Sequence, residues 1–139
     1  MGGSFRNNVT MKKIVEIIES FKRKRFSGGV ELAVIAKAEQ ELKLTFADDF
    51  KVVLLNYGFL NAKGEEFLGI DTTTYDVVKA TKAARAADVT FPDDVYVVEN
   101  CAIDGLLLVQ RTTGEVASYQ RGGALQQVAA NLSDYLSNL

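Results

Sequence analysis

From residue 11 onward, apolar residues recur three and four positions apart. Met11, Ile14, Val15, Ile18 and Phe21 share one helical face, which predicts a helix from about Met11 to Arg25. Thr10 is a suitable N-cap. Lys22, Arg23, Lys24 and Arg25 crowd the predicted last turn, where cations oppose the helix dipole. Ser27-Gly28-Gly29 is the expected stop. A second helix is predicted over roughly Val30 to Leu42, with Ile35, Ala38 and Leu42 inward. A third runs from about Ala47 to Tyr57 and turns Phe50, Val53, Leu54 and Tyr57 to one side. Asp48 and Asp49 fall in its first turn, where carboxylates are favoured, and Gly58 follows its end.

The pattern then shortens. Glu66 to Ile70 reads as a strand behind a Lys63-Gly64 turn. Asp76 to Ala87 has helical spacing, with Val77, Ala80, Thr81 and Ala84 on one side. Phe91-Pro92-Asp93-Asp94 is a turn. Val95 to Glu99, Leu106 to Gln110 and Glu115 to Tyr119 are strands separated by turns at Asp104-Gly105 and Thr112-Thr113-Gly114. Asn131 to about Leu139 closes the chain as a helix, with Leu132, Tyr135, Leu136 and Leu139 inward. Ala124 to Ala130 fits either an extension of that helix or a loop. The predicted order is α-α-α-β-α-β-β-β-α. Segregated helices and closely spaced strands imply an α+β fold: a mainly antiparallel sheet of about four to six strands, packed by several helices.

Composition narrows the chemistry more than the fold. The 139 residues are 47% apolar and 24% charged, which fits one ordinary globular domain. Residues 1–9 read as a flexible leader or tag remnant and 10–139 as a single domain. Histidine is absent, which removes His-based triads, His general-base catalysis and nearly every zinc site. Cys101 is the single cysteine; it cannot form an intrachain disulfide, so a reducing cytoplasm is the expected location. It lacks a flanking base and reads as an inert thiol. No apolar run approaches the roughly 20 residues of a membrane helix, and the N-terminus lacks a signal peptide's apolar core. No nucleotide-binding glycine loop is present, and no cofactor is expected. Catalysis is not expected either: the adjacent pairs Asp48/Asp49, Glu65/Glu66 and Asp93/Asp94 point apart in regular structure.

Charge divides unevenly. Residues 1–46 carry nine Lys/Arg and five Asp/Glu; residues 47–139 carry seven and thirteen. The stretch 88–104 holds five acids and no base. Lys22 to Arg25 invites a phosphate contact, but as a solvated helix end it points several ways, so nucleic-acid binding is a minor alternative.

Several blocks share an order and spacing. They are Ile35 to Leu42, Phe46 to Lys51, Leu54 to Gly58 and Glu66 to Ile70. Val78 to Arg85, Asp94 to Asn100, Ile103 to Leu108, Thr113 to Val116 and Leu132 to Leu136 follow. Together they resemble the SUKH superfamily, in its bacterial YobK-like branch, over about residues 30–139. Ala47 departs from the family's usual proline, which at a first helical position only pre-sets φ. The resemblance implies an α+β fold and a role without catalysis. Bacterial members are immunity proteins that bind and neutralise toxins of polymorphic secretion systems, often nucleases. Fungal relatives act in cell-wall regulation, so a general interaction scaffold or regulatory domain is the alternative. The implied partner is a cognate toxin domain. A phosphate-gripping toxin is basic, and acid would steer it. Charge and loop placement nominate Asp71, Asp93, Asp94, Glu99 and Asp104 for that contact.

Overall fold

The structure is a computed structural model and describes residues 13–72, 74, 76–101 and 105–139. Residues 13–19 are helical (α1), and Ile14 and Ile18 on this turn are fully buried. Met11 and Thr10 lie outside the described residues. The helix ends at Glu19, six residues before the predicted end: Ser20 turns its hydroxyl back on the Ile17 carbonyl, and Phe21 N–H reaches the Ile18 carbonyl. The predicted helix end at Arg25 is therefore corrected. Lys24–Phe26 is instead a strand (β1), because it pairs with Leu60–Ala62 (β2) in the register Lys24 to Ala62 and Phe26 to Leu60. Tertiary pairing overrides the local periodicity there.

The Ser27-Gly28-Gly29 segment also changes role. It does not stop α1 but closes the C-terminal end of the third helix. The second and third helices are Leu32–Leu42 (α2) and Asp48–Asn56 (α3). Gly28 N–H donates to the Tyr57 carbonyl and Val30 N–H to Leu54, satisfying carbonyls that a helix end leaves open. A Cβ on Gly29 would stand 1.9 Å from the Leu55 carbonyl oxygen, so only glycine fits this approach. The predicted inward faces hold: Ile35, Ala38 and Leu42 on α2, and Phe50, Val53 and Leu54 on α3, are buried.

β2 continues through Lys63-Gly64, both at positive φ, into Glu65–Phe67 (β3). A two-residue turn of this kind matches the twist of paired strands. The predicted strand is thus shorter than Glu66 to Ile70, and β2 was not anticipated. Helix Val77–Ala87 (α4) starts at Asp76, whose carboxylate accepts from Val78 and Lys79 N–H. Four strands then follow as a meander: Val95–Asn100 (β4), Leu106–Arg111 (β5), Val116–Gln120 (β6) and Leu125–Ala129 (β7). Residues 124–130 are therefore neither helix nor loop for the most part; they supply the outer strand. Leu132–Ser137 (α5) ends the chain, capped by Asn131 through Asp134 N–H. Leu132 and Leu136 are buried as expected, whereas Leu139 is exposed.

Among the described residues, two antiparallel sheets form, ordered β1-β2-β3 and β4-β5-β6-β7. The α+β class stands, with the strands divided between two sheets. Leu68 N–H on the Val98 carbonyl joins them. One continuous core fills the space between the sheets and α1 to α5. At its centre Phe46, Phe50 and Tyr96 pack with ring centroids 4.8 to 5.3 Å apart, an arrangement that adds to the burial of each ring.

Candidate interaction surface

One end of the molecule is organised by a buried polar network. Asp49, in the first turn of α3, is 4% exposed. One of its oxygens accepts from Gln110 Nε2 at 2.9 Å, the other from Leu132 N–H at 2.8 Å. Gln110 Nε2 also donates to the Gly114 carbonyl, and Gln110 Oε1 accepts from the Tyr96 hydroxyl at 2.7 Å. That hydroxyl accepts in turn from Ala47 N–H. Five elements are therefore tied at one point: the start of α3, the start of β4, the end of β5, the 112–115 turn and the start of α5. Burial pushes the Asp49 carboxyl above its usual range, against the hydrogen bonds that hold it charged.

Exposed and half-buried carboxylates surround this frame. Asp48 precedes Asp49, Asp93 and Asp94 lead into β4, Glu115 follows the turn, and Asp134 lies in the first turn of α5. Asp94 pairs with Arg111 at 2.9 Å and its carbonyl accepts from Thr112 N–H, which fastens the loop to the turn. Lys13 reaches Asp134 at 3.4 Å, and Arg85 reaches the Asp93 carbonyl. The Thr113 hydroxyl beside Glu115 holds its carboxyl below the usual range, so it stays charged. A cleft of about 390 Å³ opens here between Lys13, Asp48, Thr113, Asn131 and Ser133.

The five nominated contact residues do not form one patch. Asp93 and Asp94 belong to this acidic end and are exposed. Asp71 is exposed at positive φ, where its N–H donates to Asp76. It lies at the N-terminal end of α4, whereas Asp93 meets Arg85 in the last turn, so the helix separates them. It borders a groove of about 540 Å³ between α2 and α4. Asp104 lies outside the described residues; Cys101 and Gly105, which flank the gap, are at the end of β4 opposite Asp94.

Glu99 requires a correction to its role as an exposed charge, because it is 4% exposed. Its Oε2 accepts from Glu66 N–H at 2.8 Å, and the Glu65 carboxyl stands beside it. Tyr135 donates its hydroxyl to Glu65. Burial first, then Glu65 and Glu66 beside it, pushes Glu99 up to about 7. A buried carboxyl beside other acids gives up its proton less readily than a free one. Burial, with Glu99 and Glu65 nearby, pushes the Cys101 thiol up to about 11, which leaves little thiolate at neutral pH and agrees with the inert thiol expected.

Sequence reading missed Asp49, Tyr96 and Gln110 as a framework. Asp49 carried a signal, since it lies three and four residues before Val52 and Val53 on the buried stripe. It also missed Asp88, which accepts from Thr90, Tyr119 and Gly122 and holds the loop leaving α4. Among the described residues, no group of three or more His, Cys, Asp or Glu side chains is placed to hold a metal ion, and no helix is long and apolar enough to cross a membrane.

The curated proteins offer no significant match to this chain. A family comparison does, and it spans the whole architecture just described, from α1 through α5. The SUKH_5 family model, described as SMI1-KNR4 cell-wall, matches residues 11–139, and the chain belongs to that family.

Proposed function

We propose that this protein is a non-catalytic immunity protein, acting in the cytoplasm by binding a cognate toxin domain through its acidic end. The observation that supports this most is the braced frame itself: Asp48, Asp93, Asp94, Glu115 and Asp134 stand on four of the five elements fastened through Asp49, Gln110 and Tyr96. A surface fixed before the partner arrives loses little conformational freedom on binding. A basic toxin, such as one that grips phosphates, is drawn to it by charge. Membership of the SUKH superfamily agrees with this reading and does not choose the partner, because the fold alone does not set a ligand.

The test is co-expression with the toxin-like domain encoded beside the gene. Growth rescue and a stoichiometric complex on size exclusion are expected. If the protein neither rescues growth nor binds that domain, the immunity reading fails for the pair.

A further inference from the structure

The basic run is not absorbed by the acidic end, and its placement differs from a helix terminus. Lys24 and Arg25 lie in β1, the outer strand of the β1-β2-β3 sheet; Lys22 and Arg23 lead into it. β1 pairs with β2 on one side, and no strand pairs with its other side among the described residues. Lys63, in the β2–β3 turn, joins the group with its Nζ 5.7 Å from the centre of the Phe21 ring. Lys22, Arg23, Arg25 and Lys63 are exposed and make no ion pair among the described residues. Lys24 is ion-paired, with Glu19 at 3.8 Å. Glu65 and Glu66 lie on β3, the opposite strand of this sheet, and line a shallow cleft together with Arg23, Arg25 and Lys63, so the positive field is strongest along the outer, β1 side.

A single charge suffices to guard an edge strand against chance pairing; five cations around a three-residue edge exceed that need. They create a positive field around a row of backbone donors and acceptors. We propose that the outer edge of β1 docks an acidic, extended polypeptide segment as an added strand, its carboxylates meeting Lys22, Arg23, Arg25 and Lys63. Strand addition draws affinity from main-chain hydrogen bonds and selectivity from alternate side chains. A single-stranded nucleic acid fits less well, because it needs free aromatic faces for its bases. Here Phe21 is buried beneath Lys63, which leaves Phe26, 47% exposed and edge-on to Tyr57 at 5.4 Å, as one open ring at this edge where successive bases need several. This site is separate from the acidic end and does not depend on the immunity reading.

The probe is a fluorescein-labelled heptapeptide of alternating Glu and Val, followed by polarisation against the full chain. Saturable binding is expected, weakened about tenfold or more in the triple variant Lys22→Gln, Arg23→Gln, Arg25→Gln and by added salt. Two further peptides carry N-methyl groups on the odd or on the even amides. One of them should bind at least about tenfold more weakly, since it loses the donors that face the edge. This arm alters the probe and leaves the protein's folding untouched. No saturation by about 1 mM peptide, or equal binding of the parent and both methylated peptides, overturns the proposal. Tighter binding of labelled oligo-dT of twelve nucleotides than of the acidic peptide also overturns it, and assigns the cations to nucleic acid.

Discussion

At the scale of single residues, two buried carboxyls do opposite work. Asp49 accepts two hydrogen bonds that nothing else replaces. Asp49→Ala strands Leu132 N–H and part of the Gln110 amide in a dry site, where each unsatisfied group costs about 1–3 kcal/mol. A loss of about 2–4 kcal/mol is expected in urea denaturation, with no change in secondary-structure content in water. A loss within 0.5 kcal/mol contradicts the framework role. Glu99 instead sets a pH dependence. Its folded value of about 7 lies above the ordinary 4.5, so the folded state binds the proton more tightly. Its contribution is fully present below about pH 4.5 and is lost as pH rises toward 7, on the order of 3 kcal/mol over that window. Asp88 acts in the opposite sense: Thr90, Tyr119 and Gly122 hold its carboxyl well below the usual range, so its contribution is lost only as pH falls into the acid range. Glu99→Gln is therefore expected to flatten the decline of stability between pH 5 and 8, read as the urea midpoint against pH for both proteins. Parallel curves in that window exclude a raised Glu99 carboxyl. Asp49 was legible as a residue on an apolar stripe. Glu99 was not, because alternation in β4 gives way to burial on both faces and nothing local says which acid meets Glu65.

At the scale of elements, the helices were read well because each one carries its own signal. α2 and α3 bury the residues their spacing selects, and α4 buries Val77 and Thr81 while Ala80 and Ala84 are half-buried. The misread elements are strands whose reason to exist lies elsewhere in the chain. β1 is Lys-Arg-Phe and β7 is Leu-Gln-Gln-Val-Ala; neither alternates clearly, and the residues of β7 suit a helix as well as a strand. Pairing with β2 and with β6 decides them. The same non-local logic governs Gly29, which local reading assigned to the end of the first helix. Gly29→Ala pushes a methyl group against the Leu55 carbonyl, where backbone rather than a flexible side chain must yield. A loss of about 1–3 kcal/mol is expected from overpacking, measured as a fall in thermal midpoint. Gly64→Ala is the control with no neighbour within 4 Å; its positive φ makes it costly for a different reason, and Gly29→Ala should exceed it.

At the scale of the whole molecule, the α+β class and the family resemblance were legible because they depend on the order of elements. The division into two sheets was not, since it rests on β1 and β2, which like β7 are strands that the periodicity hides. Charge was legible only as a sum. The excess of acid in residues 47–139 is real, but folding sends it to separate places: Glu99 into the core, Asp71 to the start of α4, Asp93 and Asp94 to the braced end. The prediction for the complex follows from that sorting. Neutralising Asp48, Asp93 and Glu115 to Asn, Asn and Gln removes three charges from one end and leaves the Asp94–Arg111 pair and the Asp49 network intact. Exposed carboxylates contribute little to folding, within about ±0.5 kcal/mol each, so stability should hold. If charge steers the toxin to this end, association should slow by about tenfold at low salt and lose most of its salt dependence. Dissociation should change less, because rim charges act chiefly on the encounter. Stopped-flow mixing with the neighbour-encoded toxin domain separates the two rates. Unchanged association at low salt moves the binding face away from the acidic end, and the companion variant Asp71→Asn then asks whether the groove between α2 and α4 takes its place.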